Sequence, residues 1–202
     1  MRVSDDRYTR DRLRFDLALR LIHHEARTRT IKQCTGLSDD RIRKLYRSYC
    51  LDKEANAVLR HRGKSPRQAA FFFKNPDLNF HAAQLASLYL IYGLLHCAGG
   101  GIASGFRVGS LESGALLCRA YEAYRQLHSP ASISFEHAWF LLSALARRDE
   151  VGVSRCRACG GVHLHDLLAR HKHACGNCRE GLDGGTHCGG PQNAHQASAG
   201  VG

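Results

Sequence analysis

The stretch Thr30-Ile-Lys-Gln-Cys-Thr-Gly-Leu-Ser-Asp-Asp-Arg-Ile-Arg-Lys-Leu-Tyr-Arg47 reads as a short helix, a glycine turn and a second helix. Residues 30–36 make a short helix or turn ending at Gly36. Ser38 is placed to cap the next helix, and Asp39 and Asp40 sit in its first turn, where the helix dipole favours negative charge. That helix is expected to run to about Cys50. Ile31, Leu37, Ile42 and Leu45 can then bury against the preceding long helix, and Tyr49 falls on the same side as Ile42 and Leu45. Arg41, Lys44 and Arg47 are three apart on the far face, with Arg43 near its edge, and Arg27, Arg29 and Lys32 add to the same basic neighbourhood. A helix-turn-helix places such a second helix in the DNA major groove, where arginine and lysine serve phosphates and guanine edges. A solvated basic face has the same pattern, so the residues alone leave both readings open.

Working outward, the pattern stays helical. In residues 5–29, Leu13, Leu17 and Leu21 recur every four positions beside Ala18, Ile22 and Ala26, which predicts one amphipathic helix. After the basic loop of residues 61–67 comes Phe71-Phe72-Phe73. A buried helix is expected over residues 79–97, then a loop from Gly99 to Gly109. Ser113 is expected to cap a helix carrying Leu116, Leu117, Ala120, Tyr121 and Tyr124. Ser134 is expected to cap another, through Trp139, Leu142 and Leu145 to Arg148. Glu112, Glu122 and Glu136 read as solvent-facing. Leu78 to Phe106 holds no Asp, Glu, Lys or Arg, but its strongly apolar part, Leu85 to Ala98, is short of the roughly 20 residues a bilayer span requires. No membrane association is expected.

The 202 residues carry a formal net charge of +11, placed unevenly. Residues 1–74 hold 19 Lys+Arg against 9 Asp+Glu, whereas residues 75–150 hold 5 against 6 and residues 151–202 hold 5 against 3. Concentrated positive potential of this kind suits a polyanion partner. The near-neutral middle suits a core and a subunit interface. No Walker loop, GxSxG elbow, HExxH or paired-carboxylate motif occurs, so an enzyme is not expected.

The chain has nine cysteines. Its start lacks an apolar signal-peptide core, which points to the cytoplasm and to metal-binding or reactive thiols over disulfides. Cys156-Arg-Ala-Cys159 and Cys175-Gly-Asn-Cys178 form a C-x2-C-x15-C-x2-C pattern. Two intervening residues let both sulfurs of a pair reach one ion, and a second pair closes a tetrahedral S4 set that suits one structural Zn²⁺ per chain. Gly160, Gly161 and Gly176 fit the knuckle turns of such a site. An iron–sulfur cluster uses the same donors, and a redox dithiol the same spacing, although no βαβ pattern surrounds it. His163, His165, His171 and His173 are expected beside the ion or at the surface. If the knuckles touch DNA, Arg155, Arg157, Arg170 and Lys172 are the residues placed to do so. Cys34, Cys50, Cys97 and Cys118 read as small buried apolar residues.

The expected class is therefore mainly α: a helical domain over residues 1–150 with a helix-turn-helix-like region, a four-cysteine zinc-binding segment over 151–180, and a disordered tail over 181–202. Several blocks, in this order, resemble the FlhC family, a subunit of the bacterial activator of flagellar genes. They are Leu37-Ser38 with Arg41-Ile42-Arg43-Lys44-Leu45-Tyr46, the Gly63 to Pro66 loop before Phe71-Phe72, Asn79-Phe80-His81-Ala82, Ala120-Tyr121 with Tyr124, Ala138-Trp139, and the two cysteine pairs with Gly160-Gly161. The resemblance implies a mainly helical fold and a zinc site on Cys156, Cys159, Cys175 and Cys178. It also implies a hetero-oligomer with an FlhD-type subunit that binds duplex promoter DNA and activates transcription with RNA polymerase. Ala69-Ala70-Phe71-Phe72-Phe73 departs from the family by lacking its tryptophan. Two other readings stay open: a zinc-ribbon module for RNA or protein, and a divergent copy controlling non-flagellar genes.

Overall fold

The computed structural model describes residues 2–50, 58, 61, 64–98, 101–148, 150–168, 175 and 178. Six α-helices occur among them: α1 (Arg2–His23), α2 (Thr28–Thr35), α3 (Asp39–Cys50), α4 (Pro76–Ile91), α5 (Leu111–Leu127) and α6 (Phe135–Arg147). A 3-10 turn spans Ala69–Phe73. Two antiparallel hairpins complete the described chain: β1 (Leu95–Ala98) with β2 (Gly101–Ser104), and β3 (Val151–Arg155) with β4 (Val162–Asp166). The mainly helical class is as expected. The residues of the predicted tail, 181–202, lie outside the described ones.

α4 is the central element, packed against α5, α6 and the β3–β4 hairpin. Residues from several separate stretches of the sequence meet here. Tyr89 of α4 is fully buried and donates its hydroxyl to the Ala138 carbonyl on α6 at 2.8 Å. His81 Nδ1 lies 3.0 Å from the Tyr124 hydroxyl, which also accepts the Ile133 amide. Each fully buried leucine or phenylalanine of this core is worth about 1.5–3 kcal/mol.

Several boundaries differ from expectation. The helix expected over residues 5–29 ends at His23. Glu25 takes φ 59, its amide bonds the Ile22 carbonyl, and the Ala26 amide bonds the Leu21 carbonyl. This is a Schellman ending built on a non-glycine residue. Ala26 still reaches the core, so the apolar period runs on through a turn that contains no glycine or proline. Leu13 and Tyr49, expected to face inward, are 54% and 62% exposed. Tyr46 takes the inner position instead and donates its hydroxyl to the Ala26 carbonyl.

The helix expected over 79–97 begins earlier and stops sooner. The Asn75 side chain accepts the Leu78 amide at 2.7 Å, with Pro76 at the first helical position. Gly93 at φ 74 ends α4, and the Leu94 amide returns to the Tyr89 carbonyl. The expected loop from Gly99 therefore includes β2. Ser110, not Ser113, caps α5, and the buried Ser113 hydroxyl accepts the Arg107 amide. Ser134 caps α6 as expected, but Arg148 lies past the helix end at φ 54. Cys34 and Cys118 are buried as expected, whereas Cys97 is exposed. Cys188, and the side chain of Cys50, lie outside the described residues.

Candidate functional site

β3 delivers Cys156 at the head of a tight turn. The Cys156 amide bonds the Gly161 carbonyl at 2.8 Å, and the Gly160 amide returns to the Cys156 carbonyl at 2.9 Å. Gly160 takes φ 72, a backbone state glycine adopts at no steric cost. The second pair arrives from beyond β4, and the Cys175 amide donates to Cys156 Sγ at 3.4 Å. The sulfurs of Cys156, Cys159, Cys175 and Cys178 all lie within 4.8 Å of one another. Cys159 Sγ and Cys175 Sγ are 3.9 Å apart. A tetrahedron with metal–sulfur bonds of about 2.3 Å has edges of about 3.8 Å, so the cage has the size a metal ion needs.

The electrostatics agree with that fit. Burial pushes the Cys156 thiol up, but amide donors from Cys175, Cys159 and Ala158 outweigh it and bring the group down to about 6. Burial raises Cys175. Cys156 thus offers a thiolate near neutral pH, the form that ligates a metal. Among the described residues no histidine belongs to this cage. His163 is buried and His165 half-buried, both within hydrogen-bond reach of Ser154 Oγ. His171, His173, Arg170 and Lys172 lie outside the described residues, while Arg155 and Arg157 are exposed.

The helix pair α2–α3 turns at Gly36, which takes φ 69 and donates its amide to the Lys32 carbonyl. Ser38 Oγ accepts the Arg41 amide at the start of α3. Ile31, Leu37, Ile42 and Leu45 are buried against α1, as their spacing predicted. On the opposite side Arg41, Arg43, Lys44 and Arg47 are all exposed, as are Arg29 and Lys32 on α2. Arg41 lies 5.9 Å above the Phe15 ring of α1. Lys32 bridges to Asp39 at 3.4 Å, and Arg43 bonds Asp40 at 2.9 Å. Exposed pairs of this kind are worth about 0–1 kcal/mol and exchange readily for another anion. Arg27 stands apart from this set. Its side chain is only 19% exposed and faces Glu136.

Two of the three glutamates read as solvent-facing are engaged instead; Glu112 is exposed. Glu136 is buried and accepts the Arg27 amide at 2.8 Å through Oε1. Glu122 accepts Arg20 Nε at 2.7 Å and lies 2.8 Å from His24 Nε2. The hydrogen bond from Arg20 holds its carboxyl below the usual range. Sequence spacing carried no sign of these pairings, because their partners are about a hundred residues apart.

A mainly helical body with an exposed basic face on a helix-turn-helix-like pair and a four-cysteine cluster that could hold a metal ion is thus defined, and no helix among the described residues is long and apolar enough to cross a membrane. The chain belongs to the FlhC family: the family model described as "Flagellar transcriptional activator (FlhC)" matches residues 7–186. The chain is also similar to "Flagellar transcriptional regulator FlhC" from Paraburkholderia atlantica, 31% identical over 167 residues that cover 81% of this chain and 68% of the relative. Its role is that of a transcriptional regulator and not of an enzyme.

Proposed function

We propose that this chain is a DNA-binding activator subunit that works in the cytoplasm with an FlhD-type partner and RNA polymerase at promoters of flagellar operons. The observation that carries this reading is the exposed run Arg41, Lys44 and Arg47 on α3, whose opposite side is buried, in a chain of the FlhC family. Arg43 flanks that run, and Arg29 and Lys32 extend it onto α2. Arg27 acts from behind, tying α2 to α6 through Glu136. Cys156, Cys159, Cys175 and Cys178 hold one structural Zn²⁺. A closed S4 set leaves no coordination position for water, so the ion organises the knuckle and performs no chemistry.

A flagellar-promoter reporter in a strain lacking its own activator tests this reading. The chain, supplied with an FlhD-type partner, should restore expression, and an Arg43→Ala/Lys44→Ala/Arg47→Ala variant should not. Equal expression from both would overturn the assignment of α3 to DNA.

A further inference from the structure

A groove of about 440 Å³ opens beside the basic helix pair. Its basic lining comes from separate parts of the chain: α2 gives Arg29, the segment of residues 64–68 gives Arg67, and the last turn of α6 gives Arg147. All three arginines are exposed. Among the described residues two carboxylates also line the groove. One, Glu136, already accepts the Arg27 amide and lies 3.9 Å from Arg27 Nε. The other is Glu150, so Arg29, Arg67 and Arg147 outnumber the carboxylates among the described lining residues. Arg29 sits in the first turn of α2, where no acidic side chain offsets the positive end of the helix.

We propose that this groove is a second DNA contact, which grips the phosphate backbone beside the bases read by α3. The inference rests on α3 facing DNA. A planar guanidinium presents paired donors that match phosphate oxygens, and three of them converging from different elements make a site for phosphate, not for a base edge. In a helix-turn-helix the first helix of the pair crosses the backbone while the second enters the groove, which is the relation of α2 to α3. Open shape favours a polymer threading past over a small anion held in an enclosed pocket. Arg67 and Arg147 are thus backbone-gripping residues far in sequence from the helix pair.

Binding of a fluorescent promoter duplex across a salt series tests this, using the full chain with its partner subunit. The Arg67→Ala/Arg147→Ala variant should bind about tenfold more weakly at moderate salt, with a slope of log K against log[salt] shallower by about two. Its preference for promoter over random duplex should persist, because backbone contacts carry no base information. Arg67→Lys should keep most of the slope, which a merely structural role for the side chain would not predict. Inorganic phosphate at millimolar level should compete no better than its ionic strength explains; stronger competition would mean a small-anion site and overturn the proposal. Wild-type affinity and slope in the double variant, beside a loss in Lys44→Ala/Arg47→Ala, would overturn the groove and leave the α3 reading intact. No DNA binding by the wild-type complex would overturn both.

Discussion

Glu136 lies in the first turn of α6, a place where a carboxylate ordinarily meets the helix dipole in water. Here its side chain is only 6% exposed and it receives the Arg27 amide, so the start of α2 is anchored to the start of α6. Glu136→Ala leaves that amide without its acceptor and removes the buried carboxylate that lies 3.9 Å from Arg27 Nε. We expect a loss of about 2–3 kcal/mol in urea unfolding, with little change in metal content. His24 stacks on Phe135 and bonds Glu122, with its Nδ1 buried and without a hydrogen-bond partner. Burial lowers its pKa below the ordinary 6.5, against the opposing pull of Glu122. Burial also lowers His137 and His128. The unfolded chain therefore takes up protons first as pH falls. Stability should be full above about pH 6.5 and decline progressively below it. Urea midpoints between pH 7.5 and 5.5 check this, and a His24→Gln variant should show a flatter profile; a midpoint that rises on acidification would contradict the assignment.

At the scale of elements, the β3–β4 hairpin and the α2–α3 pair both depend on glycine. A Cβ at Gly152 would stand 2.5 Å from His165 Nε2, so the ring packs where only glycine leaves room. Gly152→Ala should displace His165, lower the midpoint of thermal unfolding and weaken metal retention, read by a chromophoric chelator. Gly36→Ala forces a Cβ into φ 69, at a cost of about 1 kcal/mol. The helices themselves were legible from their apolar period, and both cysteine pairs from spacing alone. What was missed has a physical reason. Helix ends at Glu25 and Gly93 follow from backbone hydrogen bonds that leave the apolar period unbroken, although Asn75-Pro76 and Tyr92-Gly93-Leu94 carry readable stop and start signals. The two hairpins are strands of four or five residues, too short for alternation to register. Arg67 and Arg147 were invisible as a pair because only tertiary packing brings them to Arg29.

In the whole molecule, composition separates a helical body from a cysteine-rich segment, but packing joins them. Val151 and Leu164 of the hairpin are buried in the same core as Leu85, Tyr89 and Leu142, and the hairpin lies on α4 and α6. Metal loss should therefore lower the stability of the helices as well. We expect a strong chelator, or Cys175→Ser, to shift one cooperative far-UV transition to lower temperature; two separate transitions would show the segments melting independently. One metal per chain in the purified protein, identified as zinc by elemental analysis, completes that test. Part of the positive charge in residues 1–74 now has a location: Arg29, Lys32, Arg41, Arg43, Lys44 and Arg47 lie on the solvent side of α2 and α3. The most direct test is fluorescence anisotropy of a flagellar-promoter duplex with the chain and the proposed FlhD-type subunit, from about 50 to 300 mM salt. The account predicts tight binding at low salt and a linear fall of log K with log[salt], lost in the Arg43→Ala/Lys44→Ala/Arg47→Ala variant. Binding that ignores salt, or that survives removal of those three charges unchanged, would contradict it.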